Sequence, residues 1–178
     1  MVEELFGRYM IIGEVGLNHL GKKDYANEYI NFHLKNNFES LSFQIRENKF
    51  YERKEKKHLR LNDTFYKRIA DKYRDIRDKK IGLSVSSLDS IEHIIYLKFD
   101  FYKILSIGAK DSNLINTLLK KTSAEIYISI GSLSLIEIKK IIKMYIHNKR
   151  IKFNYTQLTY NNENINFLNL LNFASKYK

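Results

Sequence analysis

Short apolar runs alternate along this chain with stretches in which apolar residues recur every three or four positions. Runs of four to six residues rich in Ile, Val, Leu, Phe and Tyr read as buried strands, and the wider spacing reads as helices with one buried side. Strands are expected at Met10 to Val15, Leu41 to Ile45, Ile81 to Val85, Phe101 to Leu105, Glu125 to Ile130 and Ile151 to Tyr155. The first helix is expected from about Asp24 to Asn36, with Tyr25, Tyr29, Phe32 and Leu34 on its buried side. Further helices are expected from about Thr64 to Asp78 and over Ile91 to Leu97. A fourth carries Leu114, Ile115, Leu118 and Leu119 behind an Asp111 or Ser112 cap. Ser134, with Glu137 at the third helical position, opens a fifth as a capping box, running to His147. Ile165 to Tyr177 is a last helix, carrying Leu168, Leu171 and Phe173, and Arg46 to Leu61 is a long charged connection.

Strand–helix alternation of this kind is the pattern of a parallel α/β architecture. The chain reads as six βα units in a single domain, residues 1–178, with no internal repeat and no Pro/Gly/Ser linker. Six units in 178 residues is about 30 residues each, the right size for βαβ crossovers. An eight-unit barrel needs about 200 residues at minimum.

Composition narrows the functional classes. Hydrophobic and aromatic fractions of 44% and 13% belong to a globular chain. With no cysteine, disulfides, thiolate metal ligands and a cysteine nucleophile are excluded, which suits a reducing compartment. The Met-Val-Glu-Glu start does not read as a signal peptide, and no apolar run approaches the roughly 20 residues of a membrane span. A cytoplasmic protein without a membrane partner is the expectation. The net charge of +11 would suit nucleic acid, an anionic membrane or anionic small molecules. However, Lys, Ile, Asn and Tyr are all abundant while Pro and Trp are absent, so a genome-wide compositional bias accounts for most of the lysine. The run Arg46 to Arg60 holds seven Arg/Lys against three Glu, with Phe50 and Tyr51 among them. It reads as a solvated loop beside a site rather than a nucleic-acid surface, and no nucleic-acid partner is expected. Phosphate-cradling, dinucleotide, zinc-protease and nucleophile-elbow motifs are all lacking.

The stretch Ile11 to Gly21 concentrates the candidate chemistry. An apolar run leads into Glu14, Asn18 and His19 among Gly13, Gly16 and Gly21, where a strand should end. Active sites of parallel α/β proteins are built at that junction. Further along, Gln44 ends the second strand, Lys103 and Ser106 lie three apart at the end of the fourth, and Ser129 closes the fifth.

These segments resemble the sialic acid (N-acetylneuraminate) synthase family. Glu14-Val15-Gly16-Leu17-Asn18-His19-Leu20-Gly21 is similar to its A-E-I-G-x-N-H-x-G signature, and Leu41-Ser42-Phe43-Gln44 to its V-K-F-Q. Phe101-Tyr102-Lys103-Ile104-Leu105-Ser106 is similar to its Y-K-I-A-S, and Ile128-Ser129-Ile130-Gly131 to its L-S-T-G. The resemblance implies a TIM-barrel-like but incomplete fold, about six βα units of a (β/α)8 barrel, without the last two units and the small C-terminal domain. It implies condensation of phosphoenolpyruvate with an N-acetylated amino sugar aldehyde in surface carbohydrate biosynthesis, releasing phosphate, with a divalent metal (Mn or Mg) activating the aldehyde. It places Lys103, Ser106 and Ser129 on phosphoenolpyruvate, Gln44 on the sugar, and Glu14 as a catalytic residue near the aldehyde and metal, with Asn18 and His19 as further substrate-binding residues.

Departures from the family pattern carry equal weight. Ser42 stands where the family has a lysine, Ser84-Val85-Ser86-Ser87 where it has S-T-P-F, and Asn154 in the position of a metal-binding histidine. An amide is a poor substitute for imidazole on a transition metal, so no metal ligands are assigned here. His33, His58, His93 and His147 read as surface or packing histidines. The alternative to a synthase is therefore a non-catalytic relative that binds an anionic metabolite or a partner protein. Unpaired edges of a six-stranded sheet are a liability unless covered, so a homo-oligomer covering them is a further expectation.

Overall fold

All six expected strands are present and lie in one parallel sheet in the order of the sequence. The structure, a computed structural model, describes residues 10–155 and Ser175. The strands are β1 (Ile12–Gly16), β2 (Ser40–Ile45), β3 (Lys80–Val85), β4 (Phe101–Ile104), β5 (Glu125–Ser129) and β6 (Ile151–Asn154). The helices are α1 (Lys23–Lys35), α2 (Asn48–Tyr51), α3 (Asp63–Tyr73), α4 (Ser112–Lys121) and α5 (Leu135–Tyr145). Consecutive parallel strands joined by covering helices make the fold α/β and TIM-barrel-like, as the sequence implied. The expected helix Ile165 to Tyr177 lies outside the described residues.

Period-two alternation sorts each strand into two faces. Leu41, Phe43, Ile45, Ile81, Leu83, Val85, Tyr102, Ile104, Ile126 and Ile128 join helical residues such as Ile30, Phe65, Ile69, Leu114 and Ile142 in one buried core. The alternate positions form a second face that is mostly polar: Ser42, Gln44, Ser84, Lys103, Tyr127 and Ser129. Phe101 occupies that face too, where its ring fills the space left by Gly82 and meets Tyr127 edge-on at 5.8 Å. A Cβ at Gly82 would sit 2.3 to 2.5 Å from three Phe101 ring atoms, and Tyr127 limits the ring's retreat. Gly82→Ala is therefore expected to lower stability by about 1–3 kcal/mol in urea unfolding, with Phe101→Leu restoring part of it. Equal stability of Gly82→Ala and the native chain would refute this packing.

Helix signals behaved as capping chemistry dictates. Asp111, rather than Ser112, caps α4 through Leu114 N–H at 3.0 Å. Ser134 and Glu137 form the full capping box at α5. Three expectations need correction. The buried side of α1 is Ala26, Ile30 and His33, while Tyr25, Tyr29 and Phe32 face outward. Residues Ile91 to Leu97 are a chain of turns, because their amides reach mostly three residues back and packing of Ile91, Ile94 and Ile95 holds them. Helix α3 stops at Tyr73, since the charged run that follows offers the core nothing but Ile76 and turns back on itself. The long charged connection is more ordered than expected: α2 and a 3-10 turn at Lys57–Leu59 bury Tyr51, Leu59 and Leu61.

Candidate active site at the strand ends

The end of β1 is shaped by a bulge. Glu14 pairs with Ser42 and Gly16 with Phe43, so Val15 is an extra residue on its strand. Gly16 accommodates this at φ +57, a left-handed conformation open to glycine at little cost, and donates its N–H to Glu14 Oε1 at 3.0 Å. The Glu14 carboxylate is thereby turned onto the polar face of the sheet.

There its other oxygen collects three donors from three further strands. Glu14 Oε2 accepts from Ser42 Oγ on β2 and Ser84 Oγ on β3, each at 2.9 Å, and forms an ion pair with the Lys103 ammonium on β4. On a flat sheet β1 and β4 would stand about 14 Å apart, three strand spacings. Their side chains meet because the sheet curls as a barrel wall does. Gln44 belongs to the same neighbourhood: its register partner is Ser84, and its side-chain oxygen lies 3.7 Å from where a Gly16 Cβ would be.

Ser106 begins the 3-10 turn Ser106–Gly108 that follows β4, and Ser129 is the last residue of β5, opposite Asn154 of β6. Ser106 therefore sits just past the carboxyl end of Lys103's own strand, and Ser129 at the carboxyl end of the strand beside it. Asn18 lies in the tight turn after β1, its N–H donating to Val15 O at 2.9 Å. His19 is fully buried rather than open to a ligand. Its Nδ1 accepts from Gly21 N–H at 2.9 Å, its ring faces Phe43 of the core at 6.2 Å, and burial pushes its pKa down to about 4. With Nδ1 accepting, the proton of the neutral ring sits on Nε2, which is buried without a hydrogen-bond partner among the described residues. Gly21, at φ +73, packs so close to the His58 carbonyl that a Cβ there would overlap it.

A second polar group ties the β2 loop to β3. Glu47 accepts from Ser86 Oγ at 2.7 Å and from Arg46 through two nitrogens at 3.1 Å each, while its N–H donates to Ser86 Oγ at 2.9 Å. Burial pushes the Glu47 pKa up, but the hydrogen bonds from Arg46 and Ser86 outweigh it and leave the carboxyl below its ordinary value. At the opposite end of the sheet Lys152 faces Glu125 at 2.8 Å, and hydrogen bonds from Lys152 and Tyr127 likewise outweigh burial to lower that carboxyl. Lys103, Arg46 and Lys152 thus each face a carboxylate.

Sequence reasoning missed Ser42 and Ser84 as partners of Glu14, and the Arg46–Glu47–Ser86 group altogether. The readable signal was the alternation Leu-Ser-Phe-Gln and Leu-Ser-Val-Ser, which puts every second residue of β2 and β3 on a polar face. The family's divalent metal does not fit what is here. Among the described residues no three His, Cys, Asp or Glu side chains group as metal ligands, and both Glu14 oxygens already hold donors. An open trench of about 860 Å³ also lies in the β2 loop, lined by Tyr51, Lys57, Arg60 and Asn62 among others, but shares no lining residue with the Glu14 group.

A curled parallel sheet with an acid, a lysine, an amide and hydroxyls at its carboxyl ends defines a barrel-type α/β protein with a strand-end site. The chain belongs to the NeuB family, whose profile matches residues 26–177. It is similar in structure to an N-acetylneuraminic acid (sialic acid) synthetase from Leptospira borgpetersenii serovar Hardjo-bovis solved in complex with citrate, at 19% identity and a TM-score of 0.80 over 94% of this chain and 61% of that one. It is also similar to a spore coat polysaccharide biosynthesis protein E from Chromobacterium violaceum ATCC 12472, at 14% identity and a TM-score of 0.77 over 96% of this chain and 56% of that one. The chain thus spans about three-fifths of the length of these structures. No curated protein matches its sequence. No helix among the described residues is long and apolar enough to cross a membrane.

Proposed function

We propose that this chain serves surface carbohydrate biosynthesis as a synthase-type protein that binds phosphoenolpyruvate at the strand ends for joining to an N-acetylated amino sugar aldehyde. The observation that carries this reading is the meeting of Glu14 and Lys103 on the polar face, from opposite ends of a four-strand arc. Phosphoenolpyruvate presents a phosphate and a carboxylate, which call for an ammonium and hydroxyl donors. Lys103 supplies the cation, and Ser106 and Ser129 the hydroxyls. Gln44 offers an amide to the sugar, and Glu14, once released from Lys103, is the acid nearest the aldehyde in this reading. This reading puts the reaction in the cytoplasm, a reducing compartment that suits a sequence without cysteine.

A second reading is favoured by one specific observation: Glu14 is saturated by four donors, and no metal-ligand group accompanies it among the described residues. In that reading the chain binds the anion without condensing it. Release of inorganic phosphate from phosphoenolpyruvate and N-acetylmannosamine, assayed with and without manganese, separates the two. Phosphate release supports the synthase, and binding without release supports the non-catalytic relative. Neither binding nor release would overturn both.

A further inference from the structure

We propose that Glu14 is the resident counter-ion of Lys103, held there by Ser42 and Ser84 as positioning residues, and that an anionic ligand binds by displacing it. The inference rests on the reading of Lys103 as the anion contact. It adds that the site already contains an internal occupant.

Three donors converge on one point in space. Ser42 Oγ, Ser84 Oγ and the Lys103 ammonium all reach Glu14 Oε2, from three different strands. Two hydroxyls and a cation aimed at a single oxygen are the donor set that a carboxylate or phosphate oxygen needs. The Glu14 side chain is one-third exposed and that of Lys103 only 16% exposed, so the acid has a way out to solvent while the lysine stays in place. Rotation of the Glu14 side chain gives up its bond to Gly16 N–H and leaves Ser42, Ser84 and Lys103 to the incoming anion.

Ser42 gains a specific role in this account. A lysine at position 42 would add a second cation, which one carboxylate could not neutralise. A serine there instead donates to Glu14 and leaves one acid facing one base. The pair is electrically balanced, so a ligand must compete for Lys103 rather than fall into a positive well. Small anions with a carboxylate or a phosphate group are the class that can compete, because they reproduce what Glu14 Oε2 accepts.

Calorimetric titration with phosphoenolpyruvate, and separately with inorganic phosphate, tests this on the native chain, Glu14→Ala, Glu14→Gln and the triple variant Glu14→Ala/Ser42→Ala/Ser84→Ala. Thermal melts confirm that each variant is folded, and Glu14→Gln, which keeps the side chain's shape, serves if Glu14→Ala does not fold. Glu14→Ala and Glu14→Gln are expected to bind about tenfold more tightly than the native chain. Adding Ser42→Ala and Ser84→Ala to Glu14→Ala should take most of that gain away. If the native chain binds and the Glu14 variants bind equally or more weakly, the counter-ion role is overturned while the anion-binding reading stands. Should only the Glu14 variants bind, the counter-ion role stands and native phosphoenolpyruvate binding fails. Absence of binding in every variant overturns both.

Discussion

Lys103→Ala is expected to lose about 100-fold in affinity for phosphoenolpyruvate, measured by calorimetric titration. A hydrogen bond between charged groups contributes about 1.5–3 kcal/mol, and the upper part of that range applies because two losses coincide. Removing the ammonium takes away the one cation among the donors that converge with Ser42 and Ser84 on Glu14 Oε2. It also leaves Glu14 as an uncompensated negative charge beside the incoming phosphate, and like charges facing each other add to the cost. Lys152→Ala is the matched control. Lys152 pairs with Glu125 at the opposite end of the sheet from the proposed site, and its loss should leave affinity unchanged. Retention of affinity within about threefold in Lys103→Ala would remove Lys103 from the site.

The second large effect is acid sensitivity of the fold. His19 is buried neutral with its pKa lowered from 6.5 to about 4, so below pH 6.5 the unfolded chain takes up a proton that the folded chain refuses. Stability then falls by about 1.4 kcal/mol per pH unit, roughly 2 kcal/mol between pH 6.5 and 5 and roughly 3 kcal/mol by pH 4. His33 acts in the same direction. Burial, and then the Lys79 charge, lower its pKa despite opposing backbone hydrogen bonds. Its ring bridges Tyr73 Oη at 2.7 Å and the Phe38 carbonyl at 3.1 Å, which suits a neutral imidazole accepting a hydrogen bond from the tyrosine O–H at Nδ1 and donating one from Nε2 to the carbonyl. Urea midpoints at pH 7 and pH 5 should show this loss, and His19→Asn should reduce it. A midpoint that does not move between those pH values would contradict the burial of both rings as neutral groups.

How much of this was legible in the sequence depends on what each element required. Strands were legible because each is a short apolar run, and their order followed from the alternation with helices. The buried side of α1 was not. Tyr25, Tyr29 and Phe32 have the same spacing as Ala26, Ile30 and His33, one position along, and the aromatic set looked the more apolar. The sheet took the smaller set because His33, polar by type, is satisfied inside the core by Tyr73 and the Phe38 carbonyl.

At the site, Glu14, Gln44 and Lys103 could be singled out as polar side chains in or at the ends of apolar strands. That Glu14 would touch Lys103 was not readable, since contact across four strands depends on sheet curvature rather than on spacing in the chain. Ser42 of β2 was read as the loss of a family lysine, and Ser84 of β3 only as the start of a segment that departs from the family pattern. In the fold they are the groups that hold the acid. His19 carried a recognisable motif position, yet its ring turned out to brace the turn against Phe43.

The most direct test of the account is a crystal structure of the chain grown with phosphoenolpyruvate. The account predicts the ligand at the carboxyl ends of β4 and β5, with an anionic oxygen in hydrogen-bond contact with the Lys103 ammonium and Glu14 swung away from it. Phosphoenolpyruvate bound instead in the loop trench between Lys57 and Arg60, with the Glu14–Lys103 pair intact, would contradict it.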